Sequence, residues 1–503
     1  MVIMIASRLL ALLSSQIYMS VFGTDNIYIN IYSYVINIPN IIFTCIGTAL
    51  STVVIPIYVG HKALGNNEKA KSFADNIITV STVLTFLLVI FGICISPVLV
   101  GFTGFSKDAL HKAYATKCLM IVMPVMFFYA WNYIFQGMLQ AEGKFSLPAF
   151  VSVPSSLIVI GYVLFLSDRF GVTGLFYASL IGLSLQALIL IPPLLKCGYK
   201  YRPLFKLNDP DIIKSAKMTV PVLAGVGAYQ LNMLFNSTMI ARYETGLVTI
   251  LTFVQNITIQ LVLAFVYSVT AVIYPRLSES AAKGDMAEYK DTLCGILKTV
   301  SAFLIPISVG FISVRKPLLN FLVAWGKVTN DAVSKAEVFL CLYSIGIIGI
   351  GLKEILDRAF YSVKNTKTSA VNGFIIMFAN VALSLLFMPF LGAYGIPLAY
   401  SISSLIGLLN LLYQLRRKIG AFAKGMGLDI VKSIICAFIM LIAVYLLNNA
   451  VGQAVTDDSF MVRLLKLITP AAVGACVYGV FGYILKIEVI KSYAEKFLAK
   501  LKG

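Results

Sequence analysis

Between Asp25 and His61 the chain carries no charged side chain. A run that long fits the hydrocarbon core of a bilayer better than the interior of a soluble domain. It holds Pro39 and Pro56 and closes on a basic turn around Gly65, Asn66 and Asn67. The ending recurs, because Pro275, Gly284 and Lys290 answer Pro56, Gly65 and Lys71 at a constant offset of 219 residues. A second pair lies about 221 residues apart, GMLQAEGKFSLPAF from Gly137 to Phe150 and RAFYSVKNTKTSAVNGF from Arg358 to Phe374. The chain therefore reads as two copies of one membrane-spanning unit.

The rest of the sequence agrees. Of 503 residues, 59% are hydrophobic and 12% charged, and the apolar residues come in blocks of about twenty separated by short polar loops, which excludes an ordinary soluble enzyme. Windows near 3–22, 28–58, 74–101, 114–140, 147–167, 172–195, 215–240, 246–273, 292–313, 336–360, 370–390, 394–415, 430–448 and 464–485 predict about fourteen transmembrane helices in an all-α polytopic membrane protein. Six helices separate each motif from its repeat. An even number preserves direction, so the reading is two parallel six-helix lobes, 1–205 and 206–418, followed by two additional helices and a basic amphipathic tail in 419–503. The tail, Lys486 to Lys502, suits an anionic inner surface.

Net charge is +18, but the basic residues are scattered through inter-helix loops, which argues for topology rather than nucleic-acid binding. With the N-terminus in the cytoplasm, roughly 25 basic residues fall inside and roughly nine outside. Both termini are expected in the cytoplasm. The 8 cysteines lie singly and the 2 histidines are far apart, so neither a metal site, a cofactor nor a disulfide framework is expected. No nucleotide-binding or metalloprotease motif is present, and the chain is not expected to be an enzyme. Lys353, Glu354, Asp357 and Arg358 stand at i, i+3 and i, i+4 spacings that let them neutralise one another.

Polar residues inside the spans are the candidate site. Arg8 interrupts the first span; it either faces a wet cavity or snorkels to the headgroups. Neutral side chains follow: Ser14, Ser15 and Gln16; Asn30, Asn37 and Asn40; Asn132, Gln136 and Gln140; Gln230, Asn232 and Asn236; Gln255, Asn256 and Gln260. Spacings of three or four place them on single helix faces. Each amide needs partners in hydrocarbon, so the faces either line a hydrated cavity or glue helices together. For helices two and eight, equivalent under the repeat, the cavity reading is preferred.

The segments SRLLALLSSQIYMSVFG (Ser7–Gly23), INIPNIIFTCIGTALSTVVIPIY (Ile36–Tyr58), TAVIYPRLSESAAKGD (Thr270–Asp285) and DRAFYSVKNTKT (Asp357–Thr368) together resemble the lipid II flippase family (MurJ, formerly MviN) of the multidrug/oligosaccharidyl-lipid/polysaccharide exporter superfamily. The resemblance implies a bacterial inner-membrane protein of peptidoglycan biosynthesis, with a cavity between lobes and a lipid-tail groove beside helices thirteen and fourteen. It also implies transfer of a lipid-linked cell-wall precursor from the inner to the outer leaflet, with a monovalent ion as a candidate coupling partner. Substrate-binding candidates under this resemblance are Arg8, Ser14, Asn30, Asn37, Asn40, Asn236, Gln255 and Asn256. Family members usually place several arginines and an aspartate around the pyrophosphate. Here the second arginine position reads Ser14, the aspartate position Asn30, the arginine after Pro-Asn Phe43, and the helix-eight arginine Asn256. An amide supplies neither the charge nor the bidentate fork of arginine. A flippase for another polyprenyl-linked sugar, an exporter of small amphiphiles and a transport-inactive envelope scaffold remain the alternatives.

Overall fold

The computed structural model describes residues 2–144, 146–363, 365–420, 426–454, 459–492 and 495. Every regular element among them is helical. In chain order these are α1 Val2–Phe22, α2 Ile27–Ala63, α3 Asn67–Gly101, α4 Ala109–Val122, α5 Val125–Ala141, α6 Ser146–Phe150, α7 Ser152–Phe165, α8 Ser167–Leu188, α9 Ile191–Lys196 and α10 Pro210–Tyr243. They continue with α11 Val248–Gln255, α12 Leu261–Lys283, α13 Met286–Ser313, α14 Arg315–Leu322, α15 Asn330–Ile345, α16 Ile347–Ser362, α17 Thr366–Leu391, α18 Gly395–Ile419, α19 Met426–Ala454 and α20 Phe460–Ile484. Nine stretches among the described residues are long and apolar enough to cross a membrane, one of them, Thr366–Lys418, covering both α17 and α18. Three shorter apolar helices accompany them. The chain is an all-α, multi-pass membrane protein, and the expected count of about fourteen spans is not reached by length and hydropathy alone.

Local chemistry sets the helix ends. Asn26 caps α2 by accepting from the Tyr28 N–H, Asp108 caps α4, and Asp209, followed by Pro210 at the first helical position, caps α10. The expected helix at 114–140 is broken between α4 and α5, where Pro124 has no N–H to donate. The expected helix at 336–360 is broken at Gly346, where a Cβ would meet Ser401 at 2.7 Å. The helix-eight window is interrupted too: Asn256–Gln260 form a π-helical turn between α11 and α12.

The turns after α2 and α12 are built alike. Gly65 and Gly284 have φ of +73° and +74°. The Asn66 N–H donates to His61 O at 3.0 Å, and the Asp285 N–H to Ser280 O at 3.1 Å. Each is the six-to-one bond of a left-handed helix terminator, and glycine is the residue that reaches that backbone without strain. The two halves of the sequence repeat thus share a turn geometry as well as a spacing.

Contacts divide the chain into two compact units, Met1–Thr252 with Gly326–Val328, and Phe253–Trp325 with Thr329–Gly503. In the first, α2 is central: α10, α5, α3 and α4 all pack along it. In the second, α13, α16 and α18 surround a core including Leu293, Leu297, Leu356, Phe360 and Leu411. Tyr289 ties this core together by donating to Ala359 O at 2.7 Å. There α19 packs on α13 through Cys436, Ala437 and Met440, and the Tyr478 hydroxyl of α20 donates to Ala302 O at 2.8 Å. Packing and sequence symmetry cut the chain at different points: α10, which the repeat assigns to residues 206–418, lies in the first unit because its apolar face is buried on α2.

Candidate substrate site

In the first unit the polar face of α2 divides by accessibility. Asn30 is fully buried. Its Nδ2 donates to Thr24 O at 2.6 Å and Asn26 O at 2.9 Å, with Gly246 O at 3.3 Å, and its Oδ1 accepts from the Thr249 N–H at 2.9 Å. One amide therefore joins the start of α2 to the start of α11. Beside it the Ser33 hydroxyl donates to Thr249 Oγ1 at 2.8 Å, and Tyr34 pairs with Thr238 of α10 at 3.2 Å. One turn further on, Asn37 is half-buried and donates to Ser33 O at 2.7 Å. Asn40 is exposed; its Oδ1 accepts from Thr44 at 2.8 Å. The stripe thus runs from a sealed clasp at Asn30 to an open amide at Asn40.

Ser14 and Asn236 are buried, and Asn236 is engaged in polar contacts. Arg8 falls in α1, but its side chain lies outside the described residues, as does that of Gln260. On α5, Gln136 donates to Asn132 at 2.9 Å, an interhelical-glue candidate satisfied within its own helix. Phe43 is fully buried, with ring centroids 6.3 Å from Tyr129 and 6.2 Å from Tyr133. The position where the resemblance places an arginine is therefore part of an aromatic core.

In the second unit Gln255 is buried and engaged, whereas Asn256 is exposed and its side chain makes no hydrogen bond among the described residues. Asn256 opens the π turn, a local widening of the helix that is frequent at functional sites. It stands 219 residues after Asn37, the same offset as Gly284 from Gly65. The two amides are repeat-equivalent. Asn40 and Asn256 are the accessible members of the set, and Asn37 is partly so.

Sequence reasoning missed two features. Thr249, the repeat equivalent of Asn30, is its hydrogen-bond partner; the 219-residue offset was the available signal. A buried polar stripe also runs along α17 through Asn372, Asn380 and Ser384, with Asn410 of α18 donating to Asn372 at 2.8 Å; the spacing of eight and four residues would have revealed it. The charged cluster follows its spacing only in part: Lys353 and Asp357 form the expected i, i+4 pair, whereas Arg358 has no carboxylate partner among the described residues. Lys353 donates to Asp357 at 2.6 Å and Glu354 at 3.4 Å, Ser369 closes on Asp357, and Arg358 lies over the Tyr361 ring. No group of metal-ligating side chains is found among the described residues.

Membrane-spanning helices that carry buried amide clasps beside accessible, uncharged amides define a polytopic protein of the transporter kind. A family model described as "Lipid II flippase MurJ" matches residues 19–466, and the chain belongs to that family. It is 26% identical over 377 residues to the probable lipid II flippase MurJ of Vibrio cholerae, covering 73% of this chain and 72% of that one. A solved structure of lipid II flippase MurJ in an inward closed conformation superposes with a TM-score of 0.80 at 24% identity, covering 97% of this chain and 99% of that chain. An inward-facing MATE transporter of the MOP superfamily gives a TM-score of 0.67 at 15% identity, over 82% of this chain and 94% of that one.

Proposed function

We propose that this protein moves the lipid-linked peptidoglycan precursor lipid II from the inner to the outer leaflet of the bacterial cytoplasmic membrane by alternating access. The observation that carries the reading is the family match across residues 19–466. Both termini are cytoplasmic in this reading, following the basic loops. The six-helix repeats 1–205 and 206–418 are the moving halves, with 419–503 beside them. In this reading the headgroup is met by Asn40, Asn37, Ser14 and Asn236 of the first unit and by Asn256 and Gln255 of the second, with Arg8 as the cationic contact to pyrophosphate. Asn30 acts at a distance, because its amide is engaged with backbone; it holds α2 to α11 and must release when the cavity opens on that side. No bond in the substrate is made or broken, and a monovalent ion is the candidate coupling partner.

The test is flipping of labelled lipid II in proteoliposomes holding the purified protein. Label should become accessible on the far leaflet at a rate proportional to protein; a rate equal to that of empty vesicles refutes the reading. A second reading, a flippase for a different polyprenyl-linked sugar, is favoured by the buried Phe43, which leaves one fewer cation for pyrophosphate. Tighter nanodisc binding of such a lipid than of lipid II would favour it.

A further inference from the structure

The first unit contains a cavity of about 270 Å³ lined by residues of α3, α5 and α9. Its walls include Ile78, Trp131, Phe135, Ile191, Leu194 and Tyr201, none of them among the amides discussed above. For scale, an apolar cavity of about 150 Å³ stays dry and accepts benzene. The polar groups around this one are already satisfied. Trp131 Nε1 donates to Thr82 at 3.0 Å, the Tyr201 hydroxyl pairs with Thr79 at 2.8 Å, and the Tyr199 hydroxyl donates to Asp75 at 2.7 Å. What remains facing the space is almost wholly hydrocarbon.

The strap of residues 199–206, which contributes Tyr199 and Tyr201 to the cavity wall, is held to α3 by its backbone. The Arg202 N–H donates to Asp75 at 3.2 Å, the Leu204 N–H to Thr79 at 3.3 Å and the Lys206 N–H to Asn76 at 2.9 Å. Asp75 is buried under the strap and occupied by it. The side chains of Lys196, Lys200, Arg202 and Lys206 are left exposed, and Lys200 and Arg202 flank Tyr201 of the cavity wall in the chain. An apolar hole walled in part by Tyr199 and Tyr201, with exposed cations next to those tyrosines in the chain, suits an anionic lipid, whose chain fits the hole and whose phosphate meets the cations.

We propose that this cavity is a site for an anionic phospholipid of the surrounding bilayer, one acyl chain occupying the space beside Trp131 and the headgroup phosphate lying against Lys200 and Arg202. The protein has 2 tryptophans, so a Trp325→Phe protein reports on this cavity alone. The probe is phosphatidylglycerol or phosphatidylcholine brominated along its acyl chains, each titrated into phosphatidylcholine nanodiscs that contain no lipid-linked precursor. Quenching of Trp131 by the phosphatidylglycerol should reach half its maximum at about thirtyfold lower mole fraction, the product of the roughly fivefold factors that two near-surface cations contribute. Lys200→Gln with Arg202→Gln removes exposed charges and should bring the two titrations together. Ile191→Phe fills the cavity and should weaken quenching by both lipids. Coincident titrations in the Trp325→Phe protein, a headgroup preference that survives loss of both cations, or quenching indifferent to Ile191→Phe each overturns the proposal.

Discussion

Asn30, Phe43 and Asn256 occupy three positions where the family resemblance leads one to expect charge, and their surroundings differ. Asn30 donates to backbone carbonyls and accepts one N–H. Asn30→Asp would turn a carboxylate toward those carbonyls, and Asn30→Ala would leave several buried groups unpaired. Each unpaired group costs roughly 1–3 kcal/mol, so both variants should lower Tm in detergent, with Asp the worse. Phe43→Arg places an unpaired cation in an aromatic core and should destabilise by about 3 kcal/mol or more. Asn256→Arg should leave stability nearly unchanged, within about 0.5 kcal/mol, because the residue is exposed. It should also tighten nanodisc binding of a pyrophosphate-linked lipid, since arginine adds charge and a fork. Unchanged affinity would remove Asn256 from the proposed site.

At the scale of elements, the two repeated turns make a matched experiment. A Cβ at Gly65 or Gly284 would meet nothing within 4 Å, so Gly→Ala at either is penalised by the left-handed backbone alone, roughly 1–2 kcal/mol. Equal losses in thermal denaturation are expected at the two sites. Asp108 provides a pH-dependent cap. N–H groups of His111 and Leu110 donate to its carboxylate and hold its pKa below the usual value. Its contribution is therefore present above the unfolded carboxyl pKa and lost as pH falls through the folded one. Asp108→Asn retains a capping oxygen without that titration, so the Tm difference between wild type and variant should shrink on acidification. A difference independent of pH would show that the charge of Asp108 contributes nothing to the cap.

For the molecule as a whole, the alternating access proposed above predicts that the clasp between α2 and α11 opens. Ser33 and Thr249 hydroxyls are 2.8 Å apart, which makes Ser33→Cys with Thr249→Cys a suitable crosslink in a background lacking the native cysteines. Oxidation should stop flipping and reduction restore it. Full transport by the oxidised protein would refute movement at this clasp.

The sequence by itself determined the membrane class, the all-helical fold and the two-copy architecture of its turns, because hydrocarbon demands long apolar runs and a left-handed turn demands glycine, both of which are written locally. It marked the polar helix faces for the same reason. Helix ends were less legible: α2 runs to Ala63, α3 starts at Asn67 and α12 runs to Lys283, beyond the apolar windows, since hydropathy reports bilayer depth and not backbone hydrogen bonding. Only the tertiary structure decided which amides are open. Asn30 and Asn40 look alike in a list of intramembrane residues, yet one is sealed by carbonyls from two other segments and the other is exposed. That distinction depends on which helices meet, because two of the four partners of Asn30, Gly246 and Thr249, lie 216 and 219 positions away, where no local pattern reaches.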